Sequence, residues 1–273
     1  MKLIMFSKML KEKSVPELVD VAREWGLDGW DLCVRPDYAV SPDNAAEELP
    51  KAVALFRENG LDIPMVTGNF DLPTPDHPTA EPILSAMDKA DVRHIKLGYF
   101  KINPDDGDYM TEVANVRNAL EQWLPLARKY GVKVCYHTHS NRCMGLNGAS
   151  MAHLVEGFDP ALIGAYMDPA HLAIEGEEIA LALNMVKAHL SLIATKDILL
   201  TRVERNGHGA VEKSWVVAGD GVVDWTNVFE SLQAIGYDGP ISVHCEFKVP
   251  DEEFIPAVKR EIAFFRQFVP AGN

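Results

Sequence analysis

Short apolar runs alternate along the chain with longer stretches in which hydrophobic residues recur every three to four positions. The runs fall at residues 2–7 (KLIMFS), 29–34 (GWDLCV), 62–67 (DIPMVT), 94–99 (HIKLGY), 132–138 (VKVCYHT), 162–167 (LIGAYM), 190–196 (LSLIATK) and 240–246 (PISVHCE). Nearly continuous apolarity over so few residues suits strands buried on both faces, as in a parallel sheet. Helical periodicity covers 15–25, 45–59, 113–130 and 225–235. Several joints from helix to strand carry glycine (EWGLDGW, ENGLDIP, KYGVKV, AIGYDGP), the residue that most easily takes the left-handed cap conformation.

Eight strand–helix units in 273 residues predict an α/β fold, a (β/α)8 barrel, as one domain over residues 1–273. A doubly wound sheet is the weaker alternative. No linker or low-complexity tract divides the chain. The longest stretch without clear period is 197–223, which holds Gly207, His208, Gly209, Gly219 and Gly221. It is expected to be a functional loop over the C-terminal face of the barrel.

The net charge of −14 disfavours nucleic acid and anionic membranes as partners, because both reward a basic surface. A small anionic substrate is not excluded, since it would feel only the local field of its pocket. The cysteines at 33, 135, 143 and 245 show no CxxC spacing and fit a reducing compartment. No signal peptide or membrane-spanning run stands out, so a cytoplasmic location is expected.

Polar residues gather at the C-terminal ends of the last four strands. Strand alternation puts His137 and His139 on one side, above Cys135. The sixth strand ends in MDPAH, with Asp168 and His171; the seventh ends in TKD, with Lys196 and Asp197; the eighth ends in SVHCEF, with His244 and Glu246. Each residue alone could cap a turn or meet solvent. In a barrel they converge on one mouth, and imidazole with carboxylate oxygen suits Zn, Mn, Co or Fe. The spacing holds no compact ligand motif.

MDPAH, TKD, GDGVVDW and GYDGPISVHCEF, with FSKML, DGWDLCVRP and LPKAV near the start, make nearly the whole chain resemble the xylose isomerase-like TIM barrels. That superfamily holds sugar-phosphate isomerases and epimerases, tagatose/psicose-type 3-epimerases, inosose dehydratases and endonuclease IV. The resemblance implies a divalent metal (Mn, Zn, Co, Mg or Fe) held on strands five to eight by glutamate, aspartate, histidine and glutamate. Here those places fall on His137, Asp168, Ala194 and His244, with Glu246 one pleat beyond His244. The expected ligands are therefore His137, Asp168, His244 and Glu246. If the metal is lost, His139, His171 and Lys196 handle the substrate alone.

The implied activity is sugar isomerisation or epimerisation by proton abstraction next to a carbonyl, through an enediolate. Glu246 or a histidine would be the base, His171 or His139 the acid, and Lys196 or the metal the oxyanion partner. Arg35, Trp215, Asp197 and Trp30 are the expected substrate contacts, although Trp30 also suits the core. The alternatives are a dehydratase or lyase acting on a keto-sugar or inosose, and a metal-free barrel that binds sugar without catalysis. DNA repair conflicts with the acidic charge. The partner is a small carbohydrate; a homo-oligomer stays open.

Overall fold

The computed structural model describes residues 1–271. Its first seven strands are β1 (Lys2–Phe6), β2 (Gly29–Cys33), β3 (Asp62–Thr67), β4 (His94–Lys96), β5 (Lys133–His137), β6 (Ile163–Met167) and β7 (Leu190–Thr195). A hairpin follows, formed by β8 (Asp197–Arg205) and β9 (His208–Val216). Then β10 (Pro240–Val243) closes an all-parallel (β/α)8 barrel between β7 and β1. The outer ring comprises α1 (Val15–Trp25), α2 (Ala45–Glu58), α3 (Ala80–Ala90), α4 (Tyr109–Tyr130), α5 (Gly148–Val155), α6 (Pro169–Ile174), α7 (Ile179–Val186), α8 (Trp225–Ala234) and α9 (Asp251–Arg266). No helix among the described residues is long and apolar enough to cross a membrane.

The helices follow from local signals. In α1, Ser14 and Glu17 form a capping box and Pro16 sits in the first turn, where no amide hydrogen is needed. Gly26 ends the helix at φ 67°, and Leu18, Val19 and Ala22 form its buried stripe. Burying each of the two larger side chains stabilises the fold by about 1.5–3 kcal/mol. Gly29 starts β2 at φ 153°, and a Cβ there would lie 1.8 Å from the Asp62 carbonyl oxygen, so alanine would push β3 away from β2.

Strand parity sorts the side chains. Ile4, Met65, Cys135, Tyr166, Leu192 and Ala194 form a small cluster separate from the main core. Their neighbours in sequence pack in that main core with the helices. Trp30 also belongs to that main core: it is wholly buried, and its indole N–H donates to the Leu18 carbonyl 3.0 Å away. This corrects the expected substrate contact, because Trp30 is fixed in the shell between β2 and α1.

Two further expectations change. Residues 197–223 contain the β8–β9 hairpin, whose turn at Asn206 and Gly207 takes φ 53° and 77°, as a tight two-residue turn requires. The fourth and eighth barrel strands also stop early. After Lys96 the chain bends to bond Leu72 through the Gly98 amide, and after Val243 it turns at Cys245, a non-glycine residue at φ 49°.

Candidate active site

The same parity aims the strand-end groups inward. Cys135 leads to His137, Tyr166 to Asp168, Ala194 to Lys196 and Ser242 to His244, each two residues on. They meet at the C-terminal mouth, where His137, His139, Lys196, His244 and Glu246 line a cavity of about 100 Å³. Asp168 and His171 are fully buried in contact with this group.

Lys196 is the hub. Its ammonium lies 2.9 Å from Glu246 Oε2 and 3.3 Å from Asp168 Oδ2, and 4.9 Å from the Trp215 ring centre. Burial favours the neutral amine, but the two carboxylates outweigh it and raise the Lys196 pKa, so this nitrogen stays charged. Glu246 is clamped from its other side by Lys8 at 2.6 Å. Burial raises its pKa, but Lys196, His244 and Lys8 outweigh that and hold the carboxyl well below the usual range. A carboxylate so fixed is a poor base, which corrects that expectation for Glu246. Asp168 differs: burial raises its pKa to about 6 despite Lys196. Its Oδ1 caps α6 by accepting the Ala170 and His171 amides, while Oδ2 has no aligned hydrogen-bond donor.

One residue, Ser140, sets two histidines in opposite tautomers. Its carbonyl lies 2.8 Å from His139 Nδ1, so that nitrogen carries the proton and Nε2 of the neutral ring holds a lone pair. Its amide donates to His171 Nδ1 at 3.2 Å, so in neutral His171 the proton is on Nε2, which lies 3.7 Å from Asp168 Oδ2. The two rings sit 4.1 Å apart. Burial is the main reason both imidazoles are neutral; it brings the His139 pKa down to about 4 and His171 well below its ordinary value. His137 is likewise kept neutral by burial and by the nearby Lys96 and Lys196, with Nδ1 bonded to the Tyr99 hydroxyl at 2.7 Å.

The expected metal ligands can be tested donor by donor. His137 Nε2 and Asp168 Oδ2 are without hydrogen-bond partners and 3.8 Å apart. His244 Nε2 is bonded to the Tyr166 hydroxyl at 2.9 Å, and both oxygens of Glu246 are held by lysines. His171 presents N–H rather than a lone pair. The Lys196 ammonium already stands 3.3 Å from the one free carboxylate oxygen. Among the described residues no group of three or more acidic, histidine or cysteine side chains is placed to hold a metal. As placed, these side chains do not form a divalent-ion site, and the expected ligand Glu246 has both oxygens taken by lysines.

Other expected contacts divide. Arg35 lines the cavity. Trp215, carried in by β9, packs edge-on against His171 with centroids 5.3 Å apart. Asp197 is a correction: its carboxylate accepts the amides of Ile198, Gly219, Gly221 and Val223 and the Trp225 indole N–H, leaving nothing for a substrate. A Cβ on Gly221 would fall 2.1 Å from Asp197 Oδ1, which accounts for glycine in GDGVVDW. Sequence reasoning missed Lys8, Lys96, Tyr99, Tyr166 and Asp31. For Asp31 and Lys96 a signal existed, a charge inside an otherwise apolar strand.

The family model described as xylose isomerase-like TIM barrel matches residues 19–268. Inosose dehydratase of Lacticaseibacillus casei is 28% identical over 151 residues, which is 52% of this chain and 50% of that protein. The chain thus spans about half the length of the curated relatives it matches. Among solved structures, the apo 3-keto-D-glucoside 4-epimerase of E. coli has a TM-score of 0.74 at 19% identity, covering 98% of this chain and 99% of that one. The IOLI protein with a binding zinc atom has a TM-score of 0.74 at 14% identity, covering 98% and 96%. Those structural likenesses carry the fold.

Proposed function

We propose that this chain, which belongs to the xylose isomerase-like TIM barrel family, is an enzyme that removes the proton next to the carbonyl of a sugar or a cyclic keto-polyol. The observation that carries this reading is the pairing, in one cavity, of the His139 Nε2 lone pair with the Lys196 ammonium, kept charged by two carboxylates. A neutral imidazole with a free lone pair is a base. A cation fixed by two carboxylates is ready to stabilise the oxyanion as it forms, without reorganising.

In this reading Lys196 Nζ faces the carbonyl oxygen and His139 Nε2 takes the proton from the adjacent carbon, leaving an enolate. Asp168 and Glu246 keep the ammonium charged and aimed. His171 packs against His139 and keeps its own proton, so it does not compete for the substrate's.

Elimination of water is favoured over epimerisation. Epimerisation needs bases on both faces of the carbon, and Glu246, clamped by Lys8 and Lys196, is a poor second base. A single imidazole serves elimination: it breaks the C–H bond and returns that proton to the leaving hydroxyl as the C–O bond breaks, giving a conjugated ketone and water. The dehydratase relatives support the same outcome. Isomerisation by a one-base proton shift is the second reading, supported by the same lone pair.

The test is incubation of the purified chain with keto-sugars and inososes in D₂O. Deuterium should enter next to the carbonyl and conjugated-ketone absorbance should grow. His139→Gln should slow both by about 10²–10⁴ while ligand binding is kept. Full exchange by that variant, or no exchange of any ligand that binds, overturns the reading.

A further inference from the structure

Two more cations line the cavity, and the mechanism above uses neither. Arg35 is 5% exposed and Lys96 4% exposed. The Arg35 Nε donates to the Gly68 carbonyl at 3.0 Å. Among the described residues neither side chain has a carboxylate within 4.0 Å, and the Lys96 ammonium has no hydrogen-bond acceptor. Buried ions are ordinarily paired, because desolvating one without a counter-charge is strongly unfavourable.

Aromatic faces hold these two heads in place. The Arg35 guanidinium carbon lies 4.4 Å from the Phe70 ring centre and 5.3 Å from that of Phe6. The Lys96 nitrogen lies 3.9 Å from the Tyr99 ring centre and 5.5 Å from that of Phe70. Both cations therefore converge on one ring. Cation–π attraction is weaker than the penalty for desolvating an ion, so it positions these heads without neutralising them.

Asp31 offsets these charges only in part and from beyond ion-pair distance: it is fully buried, burial raises its own pKa, and its oxygens accept the hydroxyls of Thr67, Ser242 and Tyr166. Glu246 is held by Lys8 and Lys196. The cavity thus carries Lys8, Arg35, Lys96 and Lys196 against one lining carboxylate, in a chain of net charge −14. The excess of positive charge lining the cavity favours an anion from outside the protein.

We propose that Arg35 and Lys96 form a subsite for an oxyanion carried by the substrate, a carboxylate or a phosphate monoester, so that the cavity takes an acidic sugar derivative in preference to a neutral one. This rests on the reading of the cavity as a substrate site. Burial, and then the Arg35 charge, lower the Lys96 pKa to about 7. An arriving anion reverses that, so binding above pH 7 takes up protons.

The test is calorimetric titration of the full chain with glucuronate, glucose 6-phosphate, inorganic phosphate and glucose, in buffers of different ionisation enthalpy. The anionic probes should bind at least about ten-fold more tightly than glucose, with proton uptake above pH 7. Whether glucuronate or glucose 6-phosphate leads identifies the carboxylate or the phosphate ester as the source. Arg35→Met and Lys96→Met, checked for native circular dichroism, should each abolish the preference for the anionic probes over glucose. Equal binding of glucose, no binding of any anionic probe, or a preference that survives Lys96→Met overturns the subsite. Deuterium exchange separates the two readings. Anion preference without exchange of any keto-sugar refutes the catalytic reading and leaves the subsite standing; exchange of neutral keto-sugars without anion preference does the reverse.

Discussion

At the N-terminal end of the barrel, Lys2 pairs with Asp62 at 2.6 Å and Arg57 reaches the same carboxylate at 3.4 Å. Arg93 bridges Asp88 and Asp91 at 2.9 and 2.7 Å. The chain's own amino terminus meets Asp238. At the C-terminal end, among the described residues, Arg35 and Lys96 stand without a carboxylate partner, and His137 Nε2, Asp168 Oδ2 and His171 Nε2 are buried without a hydrogen-bond partner. The base groove, about 990 Å³, is far larger than the mouth cavity of about 100 Å³, so size points to the wrong end. What separates them is satisfaction of charge. Exposed pairs at the base answer one another and contribute little, while at the mouth only the Lys196 hub is paired and several buried groups around it are left unanswered. Polar groups left so are expected where a ligand completes them.

Removing the hub should break this contrast most sharply. Lys196→Met leaves Asp168 beside no cation in a buried site. A loss of about 3–5 kcal/mol is expected in chemical denaturation near neutral pH. Proton exchange of the substrate should fall by about 10²–10³. Lys196→Met with Asp168→Asn should recover most of the stability and none of the exchange. If the double variant is no more stable than the single one, the ion pair is not what holds the mouth together.

A smaller effect should appear with pH. The Asp168 pKa is raised from 3.8 to about 6, so the folded state binds this proton more tightly than the unfolded chain does. The stability that comes with protonation is fully present below pH 3.8 and is lost as pH rises through about 6. At 1.36 kcal/mol per pKa unit the change is about 3 kcal/mol. Asp168→Asn should flatten this slope when unfolding is followed between pH 4 and 7. Asp31, also raised to about 6 by burial, should keep its own share of the slope. An unchanged slope in Asp168→Asn would place the titration elsewhere.

Lys2→Met provides the counterpart at the base. With 53% of the Lys2 side chain exposed, its loss should change stability by about 0.2–1 kcal/mol, less still in high salt. A larger loss, measured in the same denaturation assay, would remove the distinction between the two ends.

Much of this was legible in the sequence, and the exceptions have particular causes. The eight strands were visible because parallel strands are apolar on both faces. Lys96 was hidden because most candidates stand at or beyond the ends of the runs, and it sits inside the expected run 94–99, where parity turns it into the barrel. Trp30 and Trp215 are the same residue type with opposite fates: Trp30 precedes the inward Asp31 and so faces α1, whereas Trp215 rides in on a hairpin whose only sequence mark was Asn206–Gly207. The tautomers of His139 and His171 could not be read from HTHS, because they depend on which side of the Ser140 peptide each ring meets. The side-chain period names the residues that face the mouth. Only three-dimensional pairing decides which of their atoms are free.

The smallest effect concerns metal. A ligand at a hundred times its dissociation constant stabilises a fold by about 2.7 kcal/mol. With Glu246 held by two lysines, His171 protonated at Nε2 and Lys196 beside Asp168, added zinc should not raise the melting temperature of the wild type. A chelator should leave proton exchange unchanged. Lys196→Met is the informative background, because it takes the competing ammonium away from Asp168 Oδ2 and His137 Nε2. Zinc should then stabilise that variant more than the wild type, although weakly, since two donors make a poor site. Strong zinc stabilisation of the wild type, measured by thermal unfolding, would mean that Lys196 yields its place to the ion and that the mouth is completed by a metal rather than by its own cation.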